Sequence, residues 1–189
     1  MEEQSEVRVL GIIGSPRKKG NTAVLVDGIL KGAEEAGAII EKVFLSDLTI
    51  GPCQACDSCQ KTGKCKQNDD MHELEEKMDN SQVWVLGTPI YWWGPSAQLK
   101  TFVDRWYCAR QVKFRDRRII LAIPLGGGEG IARHTTGMFE DICDYLDMDL
   151  FKVLLAPRTH DIGEIQGKQV LEEARKIGKK AVITSFDQI

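Results

Sequence analysis

Val7-Arg8-Val9-Leu10-Gly11-Ile12-Ile13 runs straight into Gly14-Ser15-Pro16-Arg17-Lys18-Lys19-Gly20-Asn21-Thr22. Apart from Arg8 and Gly11 the first seven residues are β-branched or aliphatic and do not alternate polar with apolar, the pattern of a strand covered on both faces. Over residues 22–36, Leu25, Val26, Ile29, Ala33 and Ala36 recur at helical spacing, and Gly37 stands where a helix would stop. A buried strand that turns through a short polar loop into an amphipathic helix is the first half of a strand–helix–strand crossover.

The same alternation continues to the end of the chain. Residues 39–45, 81–88, 118–125 and 150–156 read as four more strands. Helical patterns lie between them. One covers 70–78, with Met71, Leu74 and Met78 on one face and a capping-box-like start at Asp70 and Glu73. A second begins at about Ser96 and carries Leu99, Phe102, Val103 and Trp106; others cover 135–146 and 167–182. Right-handed crossovers between five buried strands predict a three-layer α/β/α fold around a five-stranded parallel sheet, in the flavodoxin-like order 2-1-3-4-5. No repeat, low-complexity tract or linker divides the chain. Residues 1–189 therefore read as a single domain, with a cysteine-rich loop at 46–68.

Composition narrows the function classes. With 25 basic and 28 acidic residues the formal charge is −3, which argues against a general nucleic-acid binder. Hydrophobic residues at 42% and charged residues at 28% argue against intrinsic disorder. No run approaches the roughly 18 apolar residues of a membrane span. The acidic start Met1-Glu2-Glu3-Gln4-Ser5-Glu6 does not resemble a signal peptide, so a cytoplasmic protein without structural disulfides is expected.

In an open parallel sheet, ligands bind beyond the carboxyl ends of the strands. The loops that matter are therefore 14–21, 46–68, 89–95, 126–133 and 157–167. The first is neither a dinucleotide fingerprint nor a P-loop. It places Ser15, Arg17, Gly20, Asn21 and Thr22 at a helix N-terminus, where free N–H groups favour a phosphate. Ordinary capping by Asn21 or Thr22 is the plainer reading. The loop after the third strand sets Tyr91, Trp92 and Trp93 in a row, which suggests a planar ligand, an interface or simple cover for apolar surface.

Cys53, Cys56, Cys59 and Cys65 fall within thirteen residues, on the loop after the second strand and thus at the same edge as the other loops. Compact thiolate runs of this kind hold iron–sulfur clusters. Structural zinc more often uses two separated cysteine pairs. The spacing favours a [4Fe–4S] cluster over zinc and over unligated thiols without excluding either. Cys108 and Cys143 lie in helical patterns and read as buried small hydrophobes.

Taken together, Ser15-Pro16-Arg17-x-x-Gly20-Asn21-Thr22, Thr88-Pro89-Ile90-Tyr91-Trp92 and the segment from Ala97 to Arg105 resemble the NAD(P)H-dependent FMN reductases. With Cys53-x2-Cys56-x2-Cys59-x5-Cys65 between them, the chain resembles the iron–sulfur flavoprotein branch of that family. The resemblance implies FMN, its phosphate on Ser15, Arg17, Asn21 and Thr22 with Gly20 in the same loop. It implies a ring system along Pro89, Ile90, Tyr91, Trp92, Trp93 and Gly94. It brings Gly126, Gly127 and Gly128 to the flavin or to a neighbouring subunit, and puts a [4Fe–4S] cluster on Cys53, Cys56, Cys59 and Cys65. The expected function is electron transfer from reduced ferredoxin or NAD(P)H to an acceptor through FMN and the cluster, with no catalytic side chain. A cluster-free NAD(P)H-dependent FMN or quinone reductase and a non-enzymatic flavodoxin-like carrier are the rivals.

Size and polarity suggest that Trp92 and Trp93 are covered by another subunit, so a homodimer or homotetramer is expected. Arg110, Lys113, Arg115, Arg117 and Arg118 read as a solvated basic turn, or as a docking patch for an acidic ferredoxin. His72, His134 and His160 receive no role, and Asp69-Asp70 reads as helix capping.

Overall fold

Each apolar run of the sequence becomes a strand of one sheet in the computed structural model, which describes residues 6–108 and 111–184. In chain order the elements are β1 (Arg8–Ile13), α1 (Asn21–Glu35), β2 (Ile39–Phe44), α2 (Ser58–Thr62), α3 (Met71–Asp79) and β3 (Val83–Gly87). There follow a hairpin of β4 (Ile90–Tyr91) and β5 (Gly94–Pro95), then α4 (Ala97–Asp104), α5 (Gln111–Phe114), β6 (Arg118–Leu125), α6 (Arg133–Tyr145), β7 (Asp149–Pro157) and α7 (Gln169–Ile183). The five-stranded sheet has the order β2-β1-β3-β6-β7 and every neighbouring pair is parallel. Once the hairpin is set aside, this is the expected 2-1-3-4-5 order.

Alternation along the central strands feeds two cores. Leu10 and Ile12, Trp84 and Leu86, and Ile119, Leu121 and Ile123 pack with Met71, Leu74, Leu99, Phe102 and Phe139 from α3, α4 and α6. Val9 and Ile13, Val83 and Val85, and Ile120 and Ala122 pack with Leu25, Val26, Ile29, Ala174 and Ile177 from α1 and α7. A fully buried aliphatic side chain contributes about 1.5–3 kcal/mol, so this two-sided burial drives the sheet's assembly. The contact between α1 and α7 is tighter than side-chain spacing suggests. A Cβ on Gly32 would stand 1.9 Å from the Arg175 carbonyl oxygen, and one on Gly178 would stand 1.8 Å from that of Ile29. The helices meet backbone to backbone.

Three expectations need correction. Asp70 makes no side-chain cap on α3, so the capping box with Glu73 does not form. The Asp70 carboxylate instead accepts from the Thr49 N–H at 2.6 Å, because α3 must tie down the loop arriving from β2. Asp69 is the residue that accepts from the Met71 N–H, at 3.3 Å.

The basic stretch is not a solvated turn throughout. Arg118 opens β6 as a buried residue, donating to Asp149 Oδ2 at 2.7 Å and to the Ala181 carbonyl at 3.0 Å. Arg117 donates to the carbonyls of Ser81 and Asp79, while Lys113 and Arg115 pair with Asp79 and Asp147. Arg110 lies outside the described residues. The last correction is local: the stretches read as loops contain α2, α5 and the β4–β5 hairpin.

Candidate functional site

At the carboxyl ends of the strands, the loops after β1 and β3 are joined by main-chain and hydroxyl hydrogen bonds. The Gly14 N–H donates to the Gly87 carbonyl at 2.8 Å. The buried Ser96 hydroxyl donates to the Gly14 carbonyl at 2.5 Å and accepts from the Leu99 N–H, capping α4. Its own N–H donates to Thr88 Oγ1 at 3.0 Å. Sequence reasoning found Ser96 as a helix start but not as the clasp between two loops, for which a sequence carries no signal.

Ser15, Gly20, Asn21 and Thr22 are buried in the turn into α1, while Arg17 is exposed. Gly20 is extended at φ −75° and ψ 165°; a Cβ there would stand 2.9 Å from the Arg17 Cβ. Among the described residues, no protein acceptor meets the N–H groups of Asn21, Thr22 and Ala23, the first three of α1. The Arg17 guanidinium is likewise without a protein partner among the described residues. Three outward N–H groups at the positive end of a fifteen-residue helix, with a free guanidinium beside them, suit an anion. The Asn21 side chain is committed elsewhere. Its Nδ2 donates to the carbonyls of Thr159 and Asp161 at 3.0 and 2.8 Å, and its Oδ1 accepts from the Gly163 N–H at 3.1 Å. It offers an anion its main-chain N–H, and its amide holds the loop after β7 against the turn.

The β4–β5 hairpin carries the aromatic row. Pro89, Ile90 and Gly94 are half-buried and Tyr91, Trp92 and Trp93 are exposed, Trp92 at 91%. Trp92 and Trp93 form the two-residue turn with φ of 49° and 62°. Left-handed backbone at a bulky residue costs about 1–2 kcal/mol, and asparagine–glycine would make such a turn without strain. The chain therefore accepts strain to present two indoles at this edge. Across from them, Gly126 and Gly128 are exposed and Gly127 half-buried. A Cβ on Gly126 would lie 3.0 Å from His160 Nδ1, whereas Gly128 has nothing within 4 Å of its own, leaving bare main chain open to an approaching ligand.

The four cysteines lie elsewhere. α4 starts at the clasp and returns antiparallel to the strands, so its eight residues carry Arg105 about 12 Å away from Ser96. Cys53, Cys56, Cys59 and Cys65 line one small recess there, together with Arg105, Tyr107 and Cys108. The loop leaves the sheet after β2, and the far wall of the recess is made by residues that follow α4. Cys53 and Cys56 are exposed at its rim, Cys65 is half-buried and Cys59 buried. Ala55 and Asp57 turn the intervening chain at φ of 48° and 54°. Among the described residues, no three histidine, cysteine or acidic groups already stand in metal-binding geometry. The donor set itself, four thiols on one recess, suits a thiolate-ligated metal group.

Arg105 ends the Ala97–Arg105 segment that carries the family resemblance, but sequence reasoning assigned it no role of its own. Its side chain is 1% exposed, yet it donates to Asp69 Oδ2 at 2.5 Å, Asp69 Oδ1 at 3.1 Å, the Gly51 carbonyl at 3.0 Å and Cys65 Sγ at 3.4 Å. Burial pushes the Asp69 carboxyl up, but hydrogen bonds from Arg105 and the Gly51 N–H, with the Arg105 charge, outweigh it and leave the group below its ordinary value. Burial, with the charge of Cys59 next, pushes the Cys108 thiol up to about 12. Burial does the same to Cys143, also to about 12. Both thiols stay protonated at neutral pH and behave as the small hydrophobes expected of them, although Cys108 also walls the cysteine recess.

The sequence profile of the family described as NADPH-dependent FMN reductase matches residues 7–155. An iron–sulfur flavoprotein of Archaeoglobus fulgidus is 31% identical over 180 residues, covering 92% of this chain and 78% of that protein. One from Methanocaldococcus jannaschii is 42% identical over 99 residues, about half of each chain. Among solved structures, an NAD(P)H:quinone oxidoreductase from Methanothermobacter marburgensis superposes with a TM-score of 0.73 at 18% identity, covering 94% of this chain and 96% of that one. That likeness speaks for the fold, and the sequence matches speak for descent. The chain belongs to the NADPH-dependent FMN reductase family of flavin-dependent oxidoreductases, and within it to the iron–sulfur flavoproteins.

Proposed function

We propose that this protein passes electrons from reduced ferredoxin or NAD(P)H to an acceptor, using FMN at the carboxyl edge of the sheet and a [4Fe–4S] cluster on Cys53, Cys56, Cys59 and Cys65. The observation that carries the flavin half is the set of three N–H groups at the start of α1 that have no protein partner among the described residues, at the same carboxyl edge of the sheet from which the glycine loop and the exposed aromatic hairpin leave. The N–H groups of Asn21, Thr22 and Ala23, with the Arg17 guanidinium, hold the phosphate. Ser15 keeps the turn closed, its Oγ accepting from the Arg17 N–H at 3.3 Å. Pro89, Ile90, Tyr91, Trp92, Trp93 and Gly94 lie along the ring system, and Gly126, Gly127 and Gly128 leave room beside it. A second copy covers Trp92 and Trp93 in a homodimer or homotetramer, which removes indole surface from water.

When bound, FMN exchanges one or two electrons and a cluster exchanges one. The chain's part is to orient both and keep water from them. On the cysteine side this requires Cys53 and Cys56, at the rim, to close on Cys59 and Cys65. A ferredoxin-like donor would dock without a free basic patch at Lys113 and Arg115, since both already pair with carboxylates.

The test is anaerobic purification with flavin identification, metal analysis and a visible spectrum. About four irons and one FMN per subunit are expected. FMN with no iron would leave the cluster-free NAD(P)H-dependent reductase in place. Stoichiometric zinc would remove the relay.

A further inference from the structure

One buried cation organises the whole cysteine loop. The chain between Gly51 and Asp69 carries all four thiols, and both of its ends meet the Arg105 guanidinium. Asp69 closes the ring from the other side, its Oδ2 accepting from the Gly51 N–H at 3.1 Å. A bidentate guanidinium–carboxylate pair is already a complete structural motif. Here each terminal nitrogen of Arg105 has a second acceptor, Gly51 O for one and Cys65 Sγ for the other. A structural ion pair does not need a sulfur as its fourth acceptor. Asp57 and Gln60 of the same loop are held by Tyr107, two residues after Arg105, its hydroxyl donating to Asp57 Oδ1 at 3.0 Å and its carbonyl accepting from Gln60 Nε2 at 3.3 Å.

We infer that Arg105 is the positioning residue of the four-thiol site: it closes the loop that carries the ligands, and it sets its charge against the sulfur of Cys65. The inference rests on the proposed metal-binding role of these cysteines. Two consequences follow from the geometry. Lysine keeps the charge but cannot reach Asp69, Gly51 and Cys65 together, because only the guanidinium has a planar fork of donors. Glutamine removes the charge as well. A positive charge beside a metal–thiolate group favours its reduced, more negative form, so removing it lowers the reduction potential.

The experiment compares wild type, Arg105→Lys and Arg105→Gln in the full chain prepared anaerobically. It measures iron per subunit, midpoint potential of the bound iron, and binding of cobalt(II) alone to iron-free protein through thiolate–cobalt absorbance. Arg105→Lys should bind cobalt(II) about tenfold more weakly while its iron keeps the wild-type potential. Arg105→Gln should bind more weakly still, and its remaining iron should be about tenfold harder to reduce, about 59 mV more negative. If Arg105→Gln does not fold, the Arg105→Lys pattern decides. Wild-type cobalt affinity and wild-type potential in a folded variant would overturn the inference, even if melting temperature falls. Wild-type protein that takes up no iron, yet binds cobalt(II) in an Arg105-dependent way, would refute the proposed cluster and leave the positioning role standing. Wild-type protein that binds neither metal through its thiols would overturn both.

Discussion

The carboxyl edge of the sheet and the cysteine recess are built from different materials. At the edge, the anion-seeking groups are main-chain N–H donors of α1, and the loops around them are joined by Gly14, Thr88 and Ser96 through neutral hydrogen bonds. In the recess the reactive groups are side chains, and the loop that bears them is joined through one buried ion pair, Arg105 with Asp69. A main-chain site survives most single substitutions, because every residue but proline carries the same N–H. A side-chain site held by a buried charge pair does not, because losing one member strands the other in a dry environment.

The largest effect expected from that difference is at Cys59. Cys59→Ser should abolish iron and its broad visible absorbance while FMN bands persist, as read from spectra and metal analysis of anaerobic protein. Parallel loss of both cofactors would mean that the two regions are one site.

Next comes Asp69→Asn, which leaves Arg105 buried without its counter-charge. A loss of about 3–5 kcal/mol at neutral pH is expected in urea unfolding. The folded-state pKa of Asp69 is depressed, so its contribution is fully present above the unfolded value of about 3.9 and fades as pH falls through the folded one. The gap between wild type and variant should therefore narrow below about pH 4. A gap that stays constant down to pH 3 would show that the carboxylate charge is not what stabilises the loop.

A smaller effect is expected at the edge. Arg17→Ala removes one phosphate partner and leaves three N–H groups, so FMN should bind about tenfold more weakly, about 1.4 kcal/mol, with riboflavin unaffected. Asn21→Leu should instead weaken both ligands, because its amide holds the loop at 159–163 and not the phosphate. Fluorescence titration of the apoprotein with each flavin separates these outcomes. Equal losses for Arg17→Ala would dismiss the phosphate assignment.

The smallest effect on stability should come from Trp92→Ser. At 91% exposure the side chain packs little within its own subunit, and a change within about 0.5 kcal/mol is expected. Light scattering should nonetheless show a smaller assembly. An unchanged assembly would leave the strained hairpin to the flavin alone.

The sheet was legible because its signal is local. Residues 118–125 form β6 with the bounds read from the sequence, and the helix read from about Ser96 starts there with Ser96 as its cap. The glycine contacts of α1 with α7 were not legible, since Gly32 and Gly178 are 146 positions apart and only their close approach gives them meaning. At the capping box of α3, a local rule lost to a tertiary demand, the hydrogen bond from Thr49 to Asp70. Arg118 looked like part of a charged turn because its burial depends on β7 and α7 covering it.

What the sequence determined by itself is the parallel sheet, its strand order, the loops that could hold a flavin and the clustering of four thiols. All of these rest on hydrophobic period, on loop position in a crossover fold and on spacing along the chain. The tertiary structure alone decided which donors those loops present, committing the Asn21 amide to the carbonyls of Thr159 and Asp161 and leaving the first N–H groups of α1 without a protein partner among the described residues. It also decided that the cysteine recess closes on the residues that follow α4, with an arginine 40 residues from Cys65. The reason is that a buried charge takes its partners from whatever the packing brings within hydrogen-bond reach, and that distance has no counterpart in the order of residues.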